Sequence, residues 1–145
     1  MRLAVQQRGL ATNKVEGDHL PNLEVFRILI IENDSVFRRS LFKALTGEGY
    51  TVFAAADLVE ATEFISQVTF SLILYGLRRP YQGGLDQLKH LLQIAKNTQI
   101  IVVTTFNEPE LKRQVLDMGA RDLIVKPVRK AALLNSVANV LQVHS

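Results

Sequence analysis

The hydrophobic pattern changes its period repeatedly along this chain. The run FRILII at 26–31 is continuously apolar, which is typical of a strand buried on both faces, and the residues after it carry apolar side chains at helical spacing. Asp34 or Ser35 is placed to cap the start of that helix, and Gly47 or Gly49 to end it. The pattern predicts one strand followed by one helix.

The same alternation recurs four more times. Further strands are predicted at 50–55, 71–75, 99–104 and 122–125, and the helices that follow them at 58–67, 85–96, 108–119 and 129–142. Pro109 suits the first turn of the fourth helix. Five strands that alternate with five helices predict an α/β domain whose parallel sheet is covered by helices on both faces.

The first 25 residues stand outside this rhythm. They are polar and apolar by turns without an apolar period, and they contain two glycines and Pro21. We therefore expect residues 1–25 to form a flexible N-terminal leader and residues 26–143 to form the domain.

Composition narrows the classes of protein. A chain of 145 residues that is 48% hydrophobic and 21% charged can bury one sizeable core. Cysteine is absent, which excludes disulfides, thiol catalysis and cysteine-bound zinc, and the three histidines lack the spacing of metal ligands. No apolar run reaches the roughly 18 residues of a membrane span, and a net charge of +3 is small for a nucleic-acid binder. We expect a cytoplasmic domain that contacts neither membrane nor nucleic acid.

Candidate functional residues follow the predicted strands, because functional groups in open parallel sheets gather at the carboxyl ends of the strands. These positions carry Glu32, Asn33, Asp34, Gly76, Thr104 and Lys126.

Four of these strand ends resemble the receiver domain of bacterial response regulators. The matching segments are ILIIEND at 28–34, LILYGLRRP at 72–80, IIVVTT at 100–105 and GARDLIVKP at 119–127. The resemblance implies a flavodoxin-like (βα)5 fold with strand order 2-1-3-4-5, a cis peptide bond before Pro127, and a regulatory rather than enzymatic role in two-component phosphorelay signalling.

Receivers of this family accept a phosphoryl group on an aspartate with the help of Mg²⁺ held by acidic residues. Carried onto this sequence, the acceptor position falls on Gly76, which has no nucleophile, and the acidic pair falls on Glu32 and Asn33. Thr104 and Lys126 match the hydroxyl and the ammonium group that contact the phosphoryl group. The resemblance therefore implies a degenerate phosphorylation site, with Glu32 as the one weak metal candidate and with Mg²⁺ binding weak or absent.

Other residues depart from the family or fail to replace the acceptor. Leu123 stands where the family usually has an aromatic switch residue. Tyr75 should point to the opposite face of the sheet from residue 76, since neighbouring side chains on a strand alternate. Asp86 lies in the next predicted helix, and Ser71 lies at the other end of the strand.

Each candidate also has a purely structural interpretation. Gly76 then allows close approach at the strand end, Asn33 caps the first helix, and Thr104 is a hydrogen-bonded strand-end hydroxyl. Lys126 then pairs with Glu32, which the frequency of structural ion pairs favours over a catalytic role.

The excess of cations at the predicted edge leaves two interpretations open. Arg78, Arg79, Lys126, Arg129 and Lys130 either make the edge attractive to an anion or form an ordinary solvated surface.

Two functions remain open at this point. The first is a pseudo-receiver that is not phosphorylated and acts as a protein-interaction module, with a histidine kinase, another regulator or an output domain as partner. The face that commonly mediates pairing in the family would include Lys112, Arg113, Val115, Leu116, Arg121, Leu133 and Val137, and Leu123 is a further candidate, so a homodimer is one arrangement. The apolar members of this set have a core interpretation as well. The alternative is a receiver that is phosphorylated on a non-standard residue, or the receiver part of a longer transcriptional regulator.

Overall fold

The computed structural model describes residues 22–143, in which five strands alternate with five α-helices. The strands are β1 (Arg27–Ile31), β2 (Thr51–Ala55), β3 (Leu72–Leu77), β4 (Gln99–Thr104) and β5 (Asp122–Val125). The helices are α1 (Ser35–Glu48), α2 (Leu58–Gln67), α3 (Leu85–Ile94), α4 (Pro109–Met118) and α5 (Lys130–Leu141). The predicted alternation is confirmed.

The five strands form one parallel sheet in the order β2-β1-β3-β4-β5. In a parallel sheet all strands end at the same edge, so the loops after β1, β3, β4 and β5 lie together there. The fold class and strand order expected from the sequence are confirmed. No helix within residues 22–143 is long and apolar enough to cross a membrane.

Alternating strand residues feed two separate hydrophobic layers. In β1, Ile28 and Ile30 pack with residues of α1 and α5, whereas Leu29 and Ile31 pack with residues of α2, α3 and α4. The same alternation continues past the end of β1, so the side chains of Glu32 and Asn33 lie on opposite sides of the sheet edge.

The ends of α1 are fixed by the residues that the sequence indicated. Asp34 is the N-cap, and its Oδ1 accepts hydrogen bonds from the amides of Val36 (3.0 Å) and Phe37 (3.2 Å). Gly49 ends the helix in the left-handed region, with φ of 118°. The interpretation of Asn33 as the cap is therefore wrong, because Asp34 supplies the capping oxygen.

The described part of the N-terminal segment contacts the domain. Leu23–Val25 form a short 3-10 helix, and the Leu23 side chain packs against the hydrophobic layer beneath α1 and α5. The hydroxyl of Thr51 donates to the Glu24 carbonyl at 3.0 Å. No periodic pattern in the sequence indicated this contact of Leu23, and the division into a leader of residues 1–25 and a domain of residues 26–143 stays a prediction. The rest of the predicted leader, residues 1–21, lies outside the described residues.

Candidate functional site at the carboxyl edge

Gly76 lies inside β3 and not after it. Gly76 pairs with Val103, and the strand continues to Leu77, which pairs with Thr104. The predicted strand end at residue 75 is corrected because pairing with β4 carries β3 two residues further.

The space that a side chain at position 76 would enter is taken by a carboxylate. An added Cβ at Gly76 would overlap Oε1 of Glu32 and would lie 3.2 Å from both its Cδ and the carbonyl oxygen of Ile31. Glu32 and position 76 therefore face the same point at the edge of the sheet.

The Glu32 carboxylate is held by Lys126, the residue that follows β5. Lys126 Nζ lies 3.4 Å from Oε1 and 3.4 Å from Oε2, and the amide of Asp34 donates to Oε2 at 3.0 Å. The ammonium group also lies 4.3 Å from the centre of the Phe37 ring, in cation–π contact. The pairing of Lys126 with Glu32 that the sequence favoured is present.

Burial makes this pair important for the fold. Glu32 is 3% exposed, and its Oε1 accepts no hydrogen bond within the described residues. A carboxylate in such a position needs a compensating charge, since an unpaired buried ion is strongly destabilising. Lys126, whose side chain is 23% exposed, supplies that charge from the rim of the site.

Thr104 is also engaged in local structure. Its buried hydroxyl donates to the carbonyl of Leu77 at 3.0 Å and accepts from the amide of Phe106 at 3.2 Å. The carbonyl of Thr104 accepts from the amide of Lys126 at 2.8 Å. The peptide bond between Lys126 and Pro127 is cis, as the resemblance implied.

Asn33 belongs to a pocket on the opposite side of the edge. This pocket, of about 280 Å³, lies between the β1–α1 loop, the start of α2 and the β3–α3 loop. Its polar lining residues are Asn33, Asp57, Arg78, Arg79, Gln82 and Gln87. Tyr75 and Gly76 also line it, so Gly76 separates the pocket from the Glu32–Lys126 pair.

The loop that carries the two arginines is tightly constrained. Arg79 adopts the left-handed conformation (φ 46°, ψ 63°), and its carbonyl accepts from the amides of Gln82 and Gly84 at 3.0 and 2.9 Å. An added Cβ at Gly84 would overlap the Arg78 carbonyl oxygen and would lie 2.8 Å from Cδ1 of Leu77. The loop therefore requires glycine at position 84.

Tyr75 anchors the same loop from below. Its side chain is 3% exposed, packs on the side of α2 and α3, and donates its hydroxyl to the Gly84 carbonyl at 3.2 Å. Burial raises the pKa of Tyr75 to about 12, and the positive charge of Arg78 acts in the opposite direction. The predicted orientation of Tyr75, away from the Glu32 side, is confirmed.

The cations predicted at this edge divide between its two sides. Lys126 is paired with Glu32, and Lys130 lines a separate groove between α1 and α5. Arg129 is exposed at the start of α5. Only Arg78 and Arg79, of the five, line the pocket beside Gly76.

The candidate interaction face is divided between surface and core. Its residues Lys112, Arg113, Leu116 and Arg121 are exposed, whereas Val115, Leu123, Leu133 and Val137 are buried. Lys112 lies 4.0 Å from Asp122, Arg113 lies 3.9 Å from Glu110, and Arg121 donates to Gln99 at 2.7 Å. Leu123 is 7% exposed and packs in the hydrophobic layer of α2, α3 and α4, so it does not belong to that surface. The sequence of a four-residue strand does not indicate which of its side chains are buried by neighbouring elements, so the burial of Leu123 could not be predicted.

Two contacts of the site were not predicted. From the sequence, Phe37 looks like an ordinary apolar residue of α1. Its position in the first turn of the helix places its ring in contact with the Lys126 ammonium group. The Tyr81 hydroxyl donates to Oε1 of Glu108 at 3.2 Å and so joins the β3–α3 and β4–α4 loops. Each contact involves a residue of a loop, Lys126 or Tyr81, whose position has no periodic signal in the sequence.

Comparison with known families decides the assignment. The model of the response regulator receiver domain matches residues 28–138. The chain belongs to this family. Similar curated proteins include the chemotaxis protein CheY of Treponema pallidum, at 26% identity over 90% of this chain and 92% of that protein. The response regulator MprA of Mycobacterium ulcerans is 31% identical over 80% of this chain.

Some relatives are considerably longer than the matched receiver domain. The chain spans 50% of MprA and 31% of the Regulator of RpoS of Escherichia coli, with which it shares 30% identity. Among solved structures, a CheY-like receiver domain of Methanospirillum hungatei is 30% identical, with a TM-score of 0.72 over 81% of this chain and 94% of that one. A response regulator of Thermotoga maritima has a TM-score of 0.73 at 20% identity, which shows the fold alone.

Proposed function

We propose that this receiver domain of a two-component response regulator takes no phosphoryl group and acts through contact with a protein partner. The observation that carries the proposal is the glycine at position 76, which faces the buried Glu32–Lys126 pair. Glycine offers no oxygen to a phosphoryl donor. The buried negative charge of Glu32 is neutralised by Lys126 and needs no bound cation.

The residues present do not fit the Mg²⁺ ion that phosphorylation in this family requires. Mg²⁺ is usually held by one or two carboxylates, waters and substrate phosphates. Here Glu32 already carries a lysine partner, and Asp34 is used as the cap of α1. A cation at this point would compete with the Lys126 ammonium group, so we expect its binding to be weak.

No neighbouring side chain within residues 22–143 replaces the missing acceptor in a comparable place. The Tyr75 hydroxyl is buried on the other side of the sheet and bonded to Gly84. Asp86 is exposed on α3, and Ser71 precedes β3 at the opposite edge of the sheet. These positions favour a domain that signals without phosphorylation over one that uses an unusual acceptor.

The partner surface follows from what remains exposed on the domain. Lys112, Arg113 and Arg121 stay at the surface of α4 and of the turn before β5, and Leu116 of the same helix is 38% exposed. A histidine kinase, another regulator, an output domain or a second copy of the chain are the candidate partners for this face. Sedimentation of the wild type and of Leu116→Asp tests the homodimer, which requires a concentration-dependent dimer that the variant weakens.

The decisive experiment measures phosphorylation directly. The protein is incubated with acetyl phosphate and Mg²⁺, and its intact mass is recorded beside that of the variant Gly76→Asp/Asn33→Asp. We expect no adduct on the wild type and one phosphoryl group on the variant, because the new carboxylate at position 76 displaces the end of the Glu32 side chain and lies at the edge that also carries Thr104 and Lys126. Gly47→Asp, which adds a carboxylate on the open surface of α1, is the matched control and should stay unmodified. A wild-type adduct that disappears in Asp34→Asn or Asp86→Asn would contradict the proposal.

A further inference from the structure

The pocket lined by Arg78 and Arg79 has an unusual balance of charge. Its two arginines form no ion pair of 4.0 Å or less within residues 22–143. Its one carboxylate, Asp57, is the N-cap of α2, and its Oδ1 accepts from the amide of Glu60 at 2.9 Å. The nearest buried carboxylate, Glu32, is neutralised by Lys126 on the other side of Gly76. The pocket therefore holds a surplus of positive charge.

The remaining polar lining can also bind an anion. Asn33, Gln82 and Gln87 present amide side chains, each of which can donate two hydrogen bonds. Guanidinium groups bind carboxylate and phosphate oxygens with paired, charge-assisted hydrogen bonds. A volume of about 280 Å³ suits a small molecule with one or two anionic groups and excludes a folded partner segment.

The backbone of the loop that carries the two arginines is held in place, while both arginine side chains are exposed to solvent. Arg79 adopts a left-handed conformation that is uncommon for residues other than glycine, and such conformations concentrate at functional sites. Gly84 packs without room for a side chain, Pro80 is buried, and Tyr75 bonds the loop from below. A held loop loses less conformational entropy when a ligand binds.

We infer that this pocket binds a small free anion through a phosphate or carboxylate group held by Arg78 and Arg79. This inference does not depend on the proposed function. Binding of the anion is measured without any phosphoryl donor, so its failure would leave the result of the mass measurement unaffected.

The test uses isotopically labelled protein and follows its backbone amide resonances. Inorganic phosphate, sulfate and succinate are added separately at constant ionic strength, with sodium chloride as the reference. We expect saturable shifts that centre on residues 76–84 and 33. Shifts that rise linearly without saturation, or that spread over all basic surfaces, would identify general screening and overturn the inference.

Matched variants separate the pocket from net charge. Arg78→Gln/Arg79→Asn removes both cations, and asparagine tolerates the left-handed conformation of residue 79. Arg129→Gln/Lys130→Gln removes the same charge from the other side of the edge. We expect about tenfold weaker binding in the first pair, corresponding to the loss of a charge-assisted hydrogen bond, and little change in the second. Equal weakening in both pairs would overturn the inference, and the single variant Arg78→Gln repeats the test if the double variant unfolds.

Discussion

The two sides of one sheet edge differ in whether their charged side chains are paired. Towards α1 and α5, Glu32 is buried and paired with Lys126, so the charges cancel where water is excluded. Towards α2 and α3, Arg78 and Arg79 line an open pocket with no ion-pair partner within residues 22–143. Gly76 lies between the two sides. It lines the pocket, and the Glu32 carboxylate occupies the space that a side chain at position 76 would enter. The first side is organised for stability, and the second has charge left for a ligand.

The largest expected effect comes from breaking the buried pair. Lys126→Met should lower the free energy of unfolding by about 3 kcal/mol, since it leaves the Glu32 charge buried without a partner. Glu32→Gln added to the same chain should recover much of that loss. Denaturant unfolding of the four proteins in this cycle measures the coupling. Arg78→Gln on the open side is the contrast, with an expected change below about 0.5 kcal/mol. Equal effects on the two sides would contradict the comparison.

The pocket side should respond to alkaline pH through Tyr75. Its pKa is raised to about 12 in the folded protein, against 10.0 as the ordinary value. Below pH 10 both states keep the proton; between pH 10 and 12 the unfolded state loses it first, so stability falls as pH rises. The difference of about two pKa units corresponds to roughly 2 to 3 kcal/mol.

Denaturant unfolding of wild type and Tyr75→Phe at several pH values isolates this term. The wild type should lose more stability than the variant above pH 10, and parallel curves would contradict the burial of the hydroxyl. The variant also lacks the hydrogen bond to the Gly84 carbonyl. Below pH 10 this lowers the stability of the variant by an amount that does not change with pH.

A smaller effect is expected from the loop that carries the arginines. Gly84→Ala should lower the free energy of unfolding by about 2 kcal/mol, because the methyl group meets the backbone of Arg78 and the side chain of Leu77. Gly47→Ala is the matched control: it meets no atom within 4 Å and lies inside α1, so it should raise stability by about 0.5 to 1 kcal/mol. Thermal unfolding of both variants checks the two signs. A neutral Gly84→Ala would show that the loop adapts freely.

Most of the fold could be predicted from the sequence because each strand is a compact apolar run and each helix has a clear apolar period. The Glu32–Lys126 pair could also be predicted, since both residues directly follow strands that end at one edge. The extension of β3 past Gly76 could not be predicted, because it depends on pairing with β4.

The division of the cations between two sides was also beyond the sequence. It depends on the alternation of side chains past the strand ends and on the left-handed turn at Arg79. Leu123 shows the same limit, because burial at the end of a short strand depends on neighbours that are distant in the chain.

We propose that this edge does not support metal-dependent phosphoryl chemistry, and a magnesium titration tests that proposal. The amide resonances of wild type and Gly76→Asp/Asn33→Asp are followed as Mg²⁺ is added through the millimolar range. We expect saturable shifts around residues 32, 33 and 76 in the variant alone, because only the variant adds carboxylates that can offset competition from Lys126. Saturable binding at these residues in the wild type, or its absence in a correctly folded variant, would show that the proposal is wrong.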